Sequence, residues 1–246
     1  MMKKNKLMWK IIAEVLLLSI LCSNSVFALS SVKNNQYARN ANGETYGYAI
    51  QAESIGYEPE LIAATGTDGT DGYVRGSDLE GPVPASPEEA LAMQSSEGRY
   101  IPLYESDGET VIGEFYISPP ASDSPTTRGT STTGATGVIN VNGRIYRNQN
   151  SGSGDGNRAY SSTRIWTTSD VDGGYMGAKA RIYGAGDNKL KAESDWIFNS
   201  GKSSSLTATT SHWTLYGTYY SQGLTKEWMG TDYWTHGTFK TPNFTV

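Results

Sequence analysis

Between Leu190 and Phe198 the chain alternates, with Leu190, Ala192, Trp196 and Phe198 on one side and Lys189, Lys191, Glu193 and Asp195 on the other. A two-residue period of this kind predicts a half-buried β-strand. Just before it, Met176, Ala178, Ala180 and Ile182 alternate with Tyr175, Gly177, Lys179 and Arg181, and residues 184–188 supply the turn, so the two segments are expected to pair as an antiparallel hairpin. Further strands are predicted at 138–147, 160–168, 203–209, 213–221, 224–229 and 233–240. No proline falls between Pro125 and Pro242, which suits uninterrupted ladders. Residues 137–246 are therefore expected to form an all-β antiparallel sandwich or a partly closed barrel.

Residues 44–118 read differently, as a small α+β module. Thr45 to Gln51 has strand-like alternation, and Gly72 to Arg75 gives a short strand. Ser86-Pro87-Glu88-Glu89 then opens a helix: Ser86 can accept from the free amide of Glu89, Pro87 takes the first helical position, and both glutamates meet the positive end of the helix dipole. A hairpin follows, its strands at 101–105 and 110–117 joined through Asp107-Gly108. The fold class is mainly β, an α+β module followed by a β-sandwich.

Charge separates these two parts. From Ala41 to Pro120 fifteen carboxylates face only Arg75 and Arg99, a balance of −13, whereas from Gly137 onward eleven Lys and Arg face eight Asp and Glu. Opposite balances allow contact between the halves, although salt screens exposed charges beyond about 8 Å. The net acidic chain argues against nucleic acid as a partner of the whole protein. Residues 119–136, rich in Pro, Ser and Thr, predict a solvated linker, with Arg128 as a conceivable protease site. At the other end, Lys3, Lys4, Lys6 and Lys10 precede a mostly apolar run, and Val26-Phe27-Ala28 fits signal-peptidase cleavage between Ala28 and Leu29. Residues 1–28 are thus expected to direct export, residues 29–43 to be disordered, and the mature protein to be extracellular or cell-wall associated, with no transmembrane segment. The single cysteine, Cys22, lies in that leader, so no disulfide is expected, as suits a secreted Gram-positive bacterial protein.

Tyr46-Gly47-x-Ala49, Gly72-Tyr73-Val74-Arg75, Asp78-Leu79, Gly81-Pro82, Pro87-Glu88-Glu89-Ala90, Ile101-Pro102-Leu103-Tyr104 and Asp107-Gly108-x-Thr110-Val111-Ile112-Gly113 form an ordered series. This stretch, residues 46–113, resembles a segment of uncharacterised secreted or surface proteins of Gram-positive bacteria. The resemblance implies location and lineage, and no catalytic, metal or cofactor residues.

Candidate chemistry lies in the aromatics. Trp213, Tyr216, Tyr219, Tyr220, Trp228, Tyr233 and Trp234 fall within 22 positions. If Trp213, Leu215, Gly217 and Tyr219 point inward, the pleat turns Tyr216 and Tyr220 outward, and the last strand pairs Tyr233 and Phe239 inside with Trp234 and His236 outside. Tyr216, Tyr220, Trp234 and His236 would form an exposed row fit for sugar rings, protein partners or a membrane interface; the plainer alternative is that they only stabilise a sheet. His212 and His236 lack metal-site spacing and cysteine partners. No G-x-S-x-G elbow occurs, and no carboxylate pair identifies itself. The oxygen-rich runs 67–72 and 152–156 read as turns rather than calcium loops. The leading expectation is a secreted, non-catalytic recognition protein that binds a cell-envelope glycan or a surface protein of its own or neighbouring cells. An antimicrobial or toxin-like effector released from an acidic pro-region is the alternative, and an extracellular hydrolase a distant third.

Overall fold

The computed structural model describes residues 36–119, 130–211 and 213–246; the expected leader with Ala28 and Leu29, the Arg128 site and His212 lie outside these. The first part runs β1 (Ala38–Arg39), β2 (Thr45–Gly47), a short turn of 3-10 helix (Ala49–Gln51), α1 (Ala52–Ile55), β3 (Leu61–Thr65), β4 (Asp71–Arg75), α2 (Gly76–Glu80), α3 (Pro87–Ala92), β5 (Arg99–Tyr104) and β6 (Val111–Ser118). The second runs β7 (Ser131–Thr133), β8 (Gly137–Val141), β9 (Arg144–Asp155), β10 (Arg158–Val171), β11 (Met176–Lys179), β12 (Arg181–Gly184), β13 (Leu190–Ser194), β14 (Ile197–Phe198), β15 (Ser203–Thr209), β16 (Thr218–Ser221), β17 (Leu224–Trp228), β18 (Tyr233–Gly237) and β19 (Phe244–Thr245). The chain is mainly β with sandwiched sheets, as its periodicity predicts. No helix among the described residues is long and apolar enough to cross a membrane.

Local signals account for several elements. Ser86 Oγ accepts from Glu89 N at 3.2 Å and starts α3. Asp107 Oδ1 accepts from Glu109 N and Thr110 N at 2.9 Å each, and Gly108 adopts φ 75°, closing the β5–β6 hairpin. Other local expectations give way. The strand expected over Thr45 to Gln51 stops at Gly47 because Gln51 Oε1 folds back to accept from Tyr48 N at 3.0 Å, which turns the chain into helix. The strand expected at 138–147 is the hairpin β8–β9, since Asn142 and Gly143 take φ 49° and 85°, the positive pair that a tight two-residue turn requires. Part of the expected linker, Ser131–Thr133, pairs with β9, and Gly152 to Asp155 continue β9 rather than turning.

Three sheets arise. The largest has the order β1-β2-β3-β4-β5-β6-β13-β12-β16-β19, and an additional β3–β13 pairing closes β3, β4, β5, β6 and β13 into a ring. Both β13 contacts with the first part are parallel: Leu190 with Ala64, and Glu193 with Ile117. The acidic and basic parts thus share one sheet. A five-stranded sheet holds β15, β10, β9, β7 and β8, and a four-stranded sheet runs β14-β11-β17-β18. The expected strand 176–182 divides at Ala180, whose amide donates to Ser194 Oγ, so that β11 and β12 serve different sheets.

The core follows this topology. Ile62, Ala64, Val74, Leu79, Leu103, Phe115 and Ile117 from the acidic part cluster with Tyr183, Leu190 and Tyr220 from the basic part. A second cluster, including Tyr146, Ile165, Met176 and Ala178, fills the space between the five- and four-stranded sheets. Burying a large apolar side chain is worth about 1.5–3 kcal/mol, so a core drawn from both parts fastens them far more firmly than exposed charge could. Residues from Tyr37 onward form one unit.

Candidate functional site

The proposed aromatic row is not assembled. Tyr216 is 80% exposed, but residues 213–217 form no strand, and Tyr216 follows Leu215, which lines a separate cleft of about 430 Å³ with Trp213, Phe115 and Lys191. Leu215, expected inside, is exposed. Tyr220, expected outside, is fully buried: its ring stacks on Tyr183 with centroids 5.1 Å apart, and Lys240 Nζ lies 3.9 Å from its centre. The physical reason is that β16 is covered on both sides. Tyr219 packs with Phe244 and Ala159 on one side, while the acidic part closes over Tyr220 on the other.

Trp234 and His236 do fall together, on the outermost strand of the four-stranded sheet. Trp234 is half exposed, and its ring lies 6.4 Å from that of His236. His236 Nδ1 stands 2.6 Å from Oε2 of the buried Glu227 on β17. That hydrogen bond raises the imidazole pKa, against a smaller opposing effect of burial. Glu227 Oε1 has no hydrogen-bond partner among the described residues.

The other face of β18 borders a cleft that sequence reasoning missed. Thr235 and Gly237 line it with Phe239, Gln222, Arg181 and the 49–58 segment, enclosing about 730 Å³. Phe239, expected inside, is 54% exposed there, and Tyr57 is 53% exposed. Glu53 Oε1 accepts from Gln222 Nε2 at 3.1 Å across the opening.

Behind this cleft lies a set of paired charges. Lys179 and Arg181 flank Glu193 at 2.7 and 2.6 Å, all three essentially without solvent exposure. Arg181 also reaches Glu58 at 2.7 Å, and Lys179 donates to the Leu79 carbonyl. Lys226 pairs with Glu80 and lies over the Trp196 ring at 4.3 Å; the Trp196 indole N–H donates to the same carboxylate at 3.2 Å. Burial pushes the Glu80 pKa up, but Lys226, Lys179 and Trp196 together outweigh it and hold the carboxyl below its usual range. Burial lowers the Lys179 pKa, with Glu193 opposing it. Four ion pairs among the described residues link the two parts: Arg99–Asp195, Arg181–Glu58, Lys189–Asp71 and Lys226–Glu80.

Sequence alternation placed Lys179, Arg181 and Glu193 on polar faces, and these faces exist. What it lacked was the second layer that covers them. No three His, Cys, Asp or Glu side chains among the described residues are grouped to hold a metal ion. No family model, curated protein or solved structure matches the chain.

Proposed function

We propose that this protein is a secreted, non-catalytic recognition protein that binds a glycan of the bacterial cell envelope, with the cleft beside β18 as its binding site. One observation carries the reading: the cleft joins two exposed aromatic rings, Tyr57 and Phe239, to the hydrogen-bonding groups of Glu53, Gln222 and the exposed Thr235. Flat apolar faces beside a few fixed polar groups suit a sugar, whose ring faces are apolar and whose edges carry hydroxyls. Trp234 and His236 point to the opposite face of the same strand and take no part in the cleft. Two of the cleft's carboxylates, Glu58 and Glu80, are held by Arg181 and Lys226, an arrangement that supports fixed recognition over proton transfer. The shared sheet favours a binder over an effector, because releasing the acidic part would break the β13 pairings and strand Lys226 without its carboxylate.

Pull-down on insoluble peptidoglycan and on chitin tests this. Phe239→Ala and Tyr57→Ala are each expected to weaken retention by about fivefold or more, the loss usual for an aromatic anchor. Equal retention of wild type and both variants would remove the cleft as the binding site.

A further inference from the structure

Among the described residues no element packs over the outer face of the five-stranded sheet, and this face is cationic within a net acidic chain. Along β9 and β10 the side chains alternate. Tyr146, Asn148, Thr163 and Ile165 are buried, whereas Arg147, Ser151, Ser162, Arg164 and Trp166 have access to solvent. The register sets Trp166 opposite Arg147 and Ser162 opposite Ser151, while β15 places Thr207 beside Arg164. Arg147 and Arg164 are therefore diagonal neighbours on one face, about 7–8 Å apart. The Arg164 guanidinium lies 5.1 Å over the Trp166 ring.

These arginines are not matched by acids. Lys179, Arg181, Lys189, Lys191 and Lys226 are all in ion pairs, but neither Arg147 nor Arg164 has an ion-pair partner among the described residues. The five strands of this sheet carry four arginines and two carboxylates. Those carboxylates, Asp155 and Asp170, stand at the ends of β9 and β10, and Asp155 is opposite Arg158. Within a chain of net charge −5, the middle of this face is a cationic, hydroxyl-rich surface with one indole.

We infer that this face binds an anionic glycan polymer whose repeats are joined by phosphodiesters, a second contact separate from the cleft. Charge complementarity selects the occupant. The planar guanidinium forks of Arg147 and Arg164 match phosphate oxygens bidentately, Trp166 offers an apolar platform for the intervening sugar or polyol, and Ser151, Ser162 and Thr207 can hydrogen-bond its hydroxyls. A nucleic acid shares the phosphodiester. Its recognition would call for an aromatic platform under successive bases, whereas the middle of this face sets one indole among serine and threonine hydroxyls. The inference uses no residue of the cleft.

The test is binding of the full chain to purified poly(glycerol phosphate), with a neutral glucan and single-stranded DNA as parallel probes. Wild type is expected to bind the polymer, more weakly as salt rises. Arg147→Gln/Arg164→Gln should lose affinity by tenfold or more. Thr207→Glu, which leaves both arginines in place and sets a carboxylate against Arg164, should also weaken binding, and both variants should unfold at the wild-type temperature because these side chains lie outside the core. Phe239→Ala, which impairs the cleft, should leave polymer binding unchanged. Failure of wild type to bind at low salt, undiminished binding by the arginine variant, or DNA binding as tight as polymer binding would each overturn the assignment.

Discussion

The Tyr220 ring is closed in by Tyr183 on one side and the Lys240 ammonium on the other, so removing it opens a cavity in a core that cannot fully collapse. Tyr220→Ala is expected to cost about 3–5 kcal/mol, the range for deleting a large buried ring, read as a lowered midpoint in thermal or urea unfolding. A midpoint unchanged from wild type would mean that the ring faces solvent after all. His236 makes a different kind of prediction. Its pKa is raised in the folded protein by Glu227, so the folded state holds its proton more tightly than the unfolded chain. The resulting stability is fully present below the unfolded value of about 6.5 and is lost as pH rises through the folded value. Thermal unfolding across this range should therefore show wild type losing more stability with rising pH than His236→Asn. Parallel profiles for the two proteins would refute the pairing.

At the β12–β13 pair, the alternation that puts Arg181 and Glu193 on one face also sets them directly opposite each other, and Lys179 joins them from β11. Glu193 is the shared counter-charge of both cations. Glu193→Gln leaves them buried without it and is expected to destabilise by about 3–5 kcal/mol, as when one partner of a buried pair is removed. Denaturant unfolding measures this directly. Between α2 and β17 the Lys226–Glu80 contact gives a pH dependence of opposite sign to that of His236. The Glu80 pKa is lowered on folding, so its contribution is present above the unfolded carboxyl value of about 4.3 and disappears as pH falls through the folded value. Glu80→Gln should lower stability near neutrality and flatten the acid limb of the unfolding profile; an unaltered acid limb would contradict the ion pair.

The acidic and basic parts share a sheet, a hydrophobic cluster and four ion pairs among the described residues. A chain cut by a protease site inserted at residues 120–129 is therefore expected to elute as one species in size-exclusion chromatography, even in about 1 M salt, where exposed ion pairs are screened to about 3 Å. Two separate peaks would instead restore the picture of a detachable acidic part. Much of this architecture is legible along the chain: the period-two pattern at 190–198, the Ser86 cap and the Asp107-Gly108 turn each act through neighbours close in sequence. Asn142-Gly143 carries an equally local turn signal, and Leu61 to Ala64 an unbroken apolar run of the kind that forms a doubly buried strand. Alternation determines which residues share a face, because successive side chains in a strand must point oppositely. Whether a face meets water or a second layer is decided by segments far away in sequence, and here the acidic part covers Tyr220, Lys179, Arg181 and Glu193. The sequence alone thus determined a mainly β chain and which residues share a face within strands such as β12 and β13; only the tertiary structure decided where strands divide or end and that the outward faces of β12 and β16 are interior, because burial depends on what packs against a strand and not on the strand itself.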